Sequence, residues 1–233
     1  MTTTLNETDT HIATNAGAGL PSRRHQHREE VERAILREAV RLFAERGFEG
    51  TSIAEVAERA GLSKQNLMYY FTTKHALYER VLDDVLDAWL ARMASLADPG
   101  QDPAGVLRAY VAAKLQFSRE QPLASRVYAM EVIGGAKMYG EQIRHRVVPL
   151  LRQDIAVFER WIAEGRIAPV NATHLLFAVW AMTQSYADFS AQMALVLDRD
   201  ALTGQDFDDA AQLITGMVLA ALGLKDKERA CPT

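Results

Sequence analysis

Cysteine is nearly absent. The 233-residue chain has one, Cys231, close to its C-terminus. No intrachain disulfide framework can form, which fits a reducing compartment. Long apolar runs are missing too: no stretch approaches membrane-spanning length, and no early segment pairs a basic start with an apolar run. These absences predict a soluble, cytoplasmic chain with no membrane partner. Strong charge of one sign is also lacking, since the formal net charge is -4. The six histidines, His11, His25, His27, His75, His145 and His174, form no metal-binding spacing. Ser118 and Ser125 have no histidine and acid at suggestive positions, and Glu131 has no partner carboxylate in register. Gly17 and Gly19 lack the strand context of a phosphate loop. No enzyme, no metal and no cofactor are expected.

What is present is helical periodicity throughout, and a 48% hydrophobic composition that suffices for a real core. The expected fold is all-α. Residues 1–27 read as a disordered N-terminal arm, 28–75 as a three-helix head, 76–224 as a larger helical domain and 225–233 as a flexible tail. Helix one is predicted over 28–46, with Val31, Ile35, Ala39, Leu42 and Phe43 at three- and four-residue spacing. Gly47 ends it and Phe48 closes over the end. Two short helical patterns then meet at Gly61, one with Ile53, Val56, Ala57 and Ala60, the other with Leu67, Tyr70 and Phe71. Thr51 is the expected cap of the first and Ser63 of the second. That is the geometry of a helix-turn-helix, whose second helix can enter a major groove.

Charge placement agrees. Residues 23–80 hold 11 Lys and Arg against 9 Asp and Glu, while 81–233 hold 15 against 19. Ser63, Lys64, Gln65 and Asn66 open the second short helix, where backbone N–H groups and side chains face a duplex. Gln65 and Asn66 can make paired hydrogen bonds to base edges, and Tyr69 shares Gln65's face. Thr51 and Lys74 are candidate phosphate contacts. Arg23, Arg24, His25, His27 and Arg28 are either a solvated flank or an arm reaching phosphates.

Thr73 caps a long fourth helix, with Leu77, Val81, Leu82, Val85, Leu86, Trp89, Leu90 and Met93 in one stripe. After a loop at 98–103, helices are expected over 104–119, 122–133 and 138–164, the last kinked or broken at Pro149. Two more cover 171–197 and 206–222. Their apolar faces, Leu176, Phe177, Val179 and Ala187 in one and Leu213, Ile214, Met217, Val218 and Leu219 in the other, suit a four-helix seam in a homodimer.

Phe43 with Gly47, Thr51 with Ile53, Gly61 with Ser63, and Tyr70-Phe71 followed by Lys74 and Leu77 together resemble the TetR family of bacterial one-component regulators. The resemblance implies a homodimeric repressor on a palindromic double-stranded DNA operator, controlled by a small-molecule effector bound in the C-terminal helices. Thr72-Thr73 departs from the usual residues there, but Thr73 can still cap. Four further blocks extend the likeness: 78–91; Lys114-Leu115 through Arg126; Met130-Glu131 with Gly135-Ala136; and Trp180 through Phe189. They resemble the branch that controls pyrimidine utilisation, which implies a small planar effector such as uracil. The alternative is an unrelated hydrophobic ligand, a drug or an acyl compound.

The candidate pocket residues are Trp89 and Trp180 as flat walls and Gln184 as a group that both donates and accepts, with Thr183, Arg126 and Glu131 beside them. Trp180, Gln184 and Asp188 recur every four residues on one helix side. The competing reading makes both tryptophans ordinary core, and Arg126 with Glu131 a fixed internal ion pair.

Overall fold

The computed structural model describes residues 23–93 and 102–225. The expectations for 1–22, the loop at 98–101, and the tail from 226 with Cys231 lie outside them.

Ten helices are described: α1 (Arg23–Arg46), α2 (Ile53–Arg59), α3 (Lys64–Tyr70), α4 (Lys74–Met93), α5 (Pro103–Glu120), α6 (Pro122–Ile133), α7 (Gly140–Ala163), α8 (Ala172–Asp188), α9 (Ser190–Val196) and α10 (Gly204–Ala221). The fold is all-α, with a helix-turn-helix bundle joined by α4 to a larger helical domain. α1 starts at Arg23 rather than 28. Its extra turn is polar and exposed, so no apolar spacing marks it, and an i,i+4 His25–Glu29 pair at 3.0 Å lies along it.

Local chemistry sets the head. Gly47 takes φ +70° and donates its N–H to Phe43, which ends α1, and Phe48 stacks on Phe43 at 6.3 Å. The cap of α2 is Ser52, not Thr51: the Ser52 hydroxyl accepts from Glu55 N, while Thr51 is 3% exposed and donates its hydroxyl to the Gly47 carbonyl at 2.8 Å. Arg46 clamps Glu55 at 2.7 Å and ties α1 to α2. Gly61, at φ +72°, turns the chain into α3, whose cap Ser63 accepts from Asn66 N at 3.1 Å. Ser63→Ala should therefore cost about 1 kcal/mol, read as a lower thermal midpoint by circular dichroism with the fold retained. An unchanged midpoint would mean the cap is energetically idle.

Two departures lie in the second domain. α7 runs unbroken through Pro149, which is exposed, and His145, whose carbonyl loses its helical partner, is exposed as well. The helix expected over 171–197 divides at Phe189 into α8 and α9. There Ser190 donates its hydroxyl to the Ala187 carbonyl, and Asp188 accepts from Ser125.

One apolar cluster joins Ile35, Phe43, Leu67, Leu82 and Leu86 to Val127 and Tyr139, so the head shares its core with α4, α6 and α7. A second holds Tyr110, Phe158, Trp161, Leu176, Ile214 and Val218. The faces expected to form the dimer seam are thus divided. Leu176, Val179, Ala187, Ile214, Val218 and Leu219 fill the protomer's own core, while Phe177, Leu213 and Met217 remain 45%, 57% and 52% exposed. Among the described residues, no helix is long and apolar enough to cross a membrane.

Candidate functional site

The head presents α3 outward. Ser63, Lys64, Gln65 and Asn66 are exposed, and Tyr69 is 74% exposed one turn after Gln65. Leu67 and Phe71 bury the opposite side. Two candidate phosphate contacts are differently employed. Thr51 is buried, with its hydroxyl already donated. Lys74 donates Nζ to the Phe48 carbonyl at 2.8 Å and lies 4.2 Å over the Phe48 ring, pinning the α1–α2 loop to α4.

In the second domain, α4, α5, α6 and α8 enclose a cavity. Val85, Leu86, Trp89, Phe117 and Tyr128 supply aliphatic and aromatic walls; Lys114, Ser118, Ser125, Thr183 and Gln184 supply polar atoms. Its free volume is only about 20 Å³, room for roughly one water. An effector must therefore push walls apart to enter.

Most of the polar lining is engaged within the protein. Ser118 donates to the Thr183 carbonyl at 3.0 Å, and the Thr183 hydroxyl donates to the Val179 carbonyl at 2.8 Å. Ser125 donates to Asp188 at 3.1 Å, and the Gln184 side chain bonds the same carboxylate. Burial raises the Asp188 carboxyl, against the pull of Ser125, Gln184 and the Arg126 charge.

Lys114 is 4% exposed, with Nζ 4.2 Å over the Trp89 ring and 5.8 Å from that of Trp180. Burial pulls its amine down to about 7, while the ring faces favour the charged form.

Trp89, Thr183 and Gln184 thus meet at one cavity, and three other expected pocket residues do not line it. Trp180 packs against Trp89 at 5.5 Å but donates its indole N–H to the Tyr110 hydroxyl at 2.6 Å. Four residues advance a helix by about 40° beyond a full turn, so the Trp180–Gln184–Asp188 stripe drifts off the cavity at both ends.

Arg126 and Glu131 are no ion pair. Five residues place them roughly 140° apart on α6, and they face different partners. Arg126 acts on Asp188. Glu131, 6% exposed, accepts from Met138 N at 2.8 Å, Tyr139 N at 3.1 Å and the Tyr78 hydroxyl at 3.3 Å. It closes the α6–α7 turn and ties it to α4, and Tyr78 packs edge-on against Phe43 at 4.9 Å.

The residue the site reading of the sequence missed is Lys114. Its signal was a lysine in phase with an apolar stripe, four residues after Tyr110 and three before Phe117. Among the described residues, no three His, Cys, Asp or Glu side chains gather as metal ligands.

Comparison with known proteins places the chain in a family. Residues 35–81 match the model of bacterial regulatory proteins of the TetR family, and residues 82–225 match that of the YcdC-like protein C-terminal region. The chain is 39% identical over 165 residues to the HTH-type transcriptional regulator RutR of Escherichia coli K12, covering 71% of this chain and 77% of RutR. Two solved structures share the fold. AibR in complex with isovaleryl coenzyme A and operator DNA superposes with a TM-score of 0.64 at 22% identity, over 84% of this chain and all of AibR. The ketosteroid regulator KstR2 of Mycobacterium tuberculosis does so at 0.67 and 19%, over 89% of this chain and 98% of KstR2. The chain belongs to the TetR family, as a dimeric, non-catalytic regulator that binds DNA and a small-molecule ligand.

Proposed function

We propose that this chain is a repressor that leaves its operator when a largely apolar small molecule, carrying one anionic or acceptor head, enters the cavity between α4, α5, α6 and α8. The observation that carries this is the state of the lining. Ser118, Ser125, Thr183 and Gln184 bond to the protein itself, and the rest of the lining is Trp89, Phe117, Tyr128, Val85 and Leu86, with Lys114 beside them. The same fold is seen in AibR in complex with isovaleryl coenzyme A and in the ketosteroid transcriptional regulator KstR2, which favours an acyl or other largely apolar effector here.

On the DNA side, Gln65, Asn66 and Tyr69 read bases or backbone while Ser63 and Lys64 orient α3. Thr51 and Lys74 brace the head, and Lys74 meets phosphate only if it leaves the Phe48 carbonyl. Release follows when the ligand binds the non-operator geometry better than the operator-bound one.

A pyrimidine-dione is the second reading, implied by the resemblance of the sensor blocks. Trp89 and Gln184 on one cavity favour it, as a flat wall and a donor–acceptor pair. It requires Gln184 to give up Asp188.

Thermal shift and operator retention, run with uracil and thymine, with short carboxylates and their coenzyme A esters, and with steroids, separate the readings. A ligand at a hundredfold its Kd stabilises by about 2.7 kcal/mol, a readily measured shift. Shift and release by the hydrophobic set are expected. Response to nucleobases alone would transfer the assignment to the pyrimidine. No response to any would remove the effector assignment and leave operator binding standing.

A further inference from the structure

A second, larger hollow lies against the first. A groove of about 430 Å³ runs between α1, α4 and the α5–α6 junction. Its floor is apolar, with Leu36 and Val40 from the head and Val81, Ala88 and Leu123 opposite, and Arg37, Arg41, Asp84 and Glu120 also line it. Val85 and Phe117 line both the groove and the inner cavity. They belong with Ala124 to one small apolar cluster, packed against Val40, Ala88, Trp89 and Tyr128. Two side chains therefore form the partition between a nearly filled inner chamber and an outer one that falls within the range of small-molecule sites.

We propose that the two hollows are one binding site for an amphiphile, a medium-chain carboxylate or its close analogue, with its head at Lys114 and its alkyl tail passing Val85 and Phe117 into the groove. This rests on the hydrophobic-effector reading and extends it to a ligand shape. The chemistry fits at each end. The inner chamber holds the cationic side chain, three residues before Phe117 on α5, so a head bound there aims its tail at the partition. The outer chamber has an aliphatic floor for the tail, with the charged side chains among its remaining lining. It also has the head's first helix as one wall, so a tail lying in it wedges α1 away from α4. Ligands too short to pass the partition would bind without moving the head, and longer ones would release DNA.

Straight-chain carboxylates from butyrate to decanoate, kept below their micelle concentrations, test this with the full-length dimer. Each added methylene that enters an apolar groove is worth about fourfold in affinity. Calorimetry should show that gain continuing through decanoate, with operator release, by fluorescence anisotropy, appearing only for the longer acids. Ala88→Leu and Val40→Phe fill the groove from opposite walls. Each should weaken decanoate at least tenfold while leaving butyrate unchanged, and retained butyrate binding shows that the variant is folded.

A wild-type affinity that levels off after butyrate would overturn the two-chamber site and leave the hydrophobic-effector reading intact. So would a chain-length gain that survives both substitutions. Failure of every carboxylate, with uracil binding, would overturn both.

Discussion

Gln65→Ala should weaken operator binding by roughly thirtyfold to twenty-thousandfold. A side-chain amide that pairs with a base edge is worth about 1–3 kcal/mol of discrimination. The dimer carries two such heads, so the loss doubles to about 2–6 kcal/mol. Nothing in the fold offsets it. Gln65 is exposed, and α3 is held by the Ser63 cap and by buried Leu67, neither of which touches the amide. The substitution should leave the melting curve and ligand binding unchanged. Fluorescence anisotropy with the operator and with random duplex decides it. Because Gln65 is neutral, random-sequence affinity and the salt slope should hold, whereas Lys64→Ala should flatten the slope by about one per head. Equal loss on both duplexes, or none on the operator, would remove Gln65 from base reading.

Much of the head was legible because each boundary has its own chemical signal. Gly47, Gly61 and Ser63 act through φ, turn and hydroxyl alone, and the structure uses them as read. Thr51 and Ser52 show the limit. Two adjacent hydroxyl residues are equivalent caps in one dimension, and the choice is made by Gly47, whose free carbonyl takes the Thr51 hydroxyl. The division at Phe189 was invisible for a similar reason. No glycine or proline marks it, and it lies where Asp188 meets Ser125, 63 residues away in sequence. Glu131 and Arg126 looked like a pair because both are charges in an apolar helix. Their true partners, the Tyr139 amide and Asp188, come from other elements.

The exposed side chains bear on assembly. Phe177, Leu213 and Met217 are the large apolar groups of α8 and α10 that the protomer leaves uncovered, and we propose that they meet a second copy in the dimer. Pairing there would fix the separation of two heads. The shared core of Phe43, Leu82, Val127 and Tyr139 then makes head position depend on α4 and α6, the helices that line the cavity. Trp89 and Lys74 lie on the same α4, one at the cavity and one pinning the head loop. A packed core rather than a flexible joint therefore connects the cavity helices to the head.

Lys114→Met should stabilise the fold and disable the sensor. Burial pulls the Lys114 amine down to about 7, whereas an unfolded lysine titrates near 10.4. Between those values the unfolded chain holds a proton that the native chain has released, so stability rises with pH from about 7 to about 10. Below 7 the native state carries the charge in a dry site and bears the cost of its burial, on the order of 2–5 kcal/mol less what its protein surroundings, the Trp89 face among them, return. Methionine keeps the volume, removes the charge and packs well against tryptophan. The variant should therefore melt several degrees higher at pH 7, and the wild-type rise in stability toward pH 10 should shrink in it. Affinity for an anionic effector should fall about tenfold or more with the loss of a buried charged hydrogen bond, while operator affinity without ligand stays put. A lower melting temperature for Lys114→Met at pH 7, or an unaltered pH slope, would show that the amine is already stabilised by its protein surroundings. The cation would then be part of the scaffold, and the ligand's head would need another anchor.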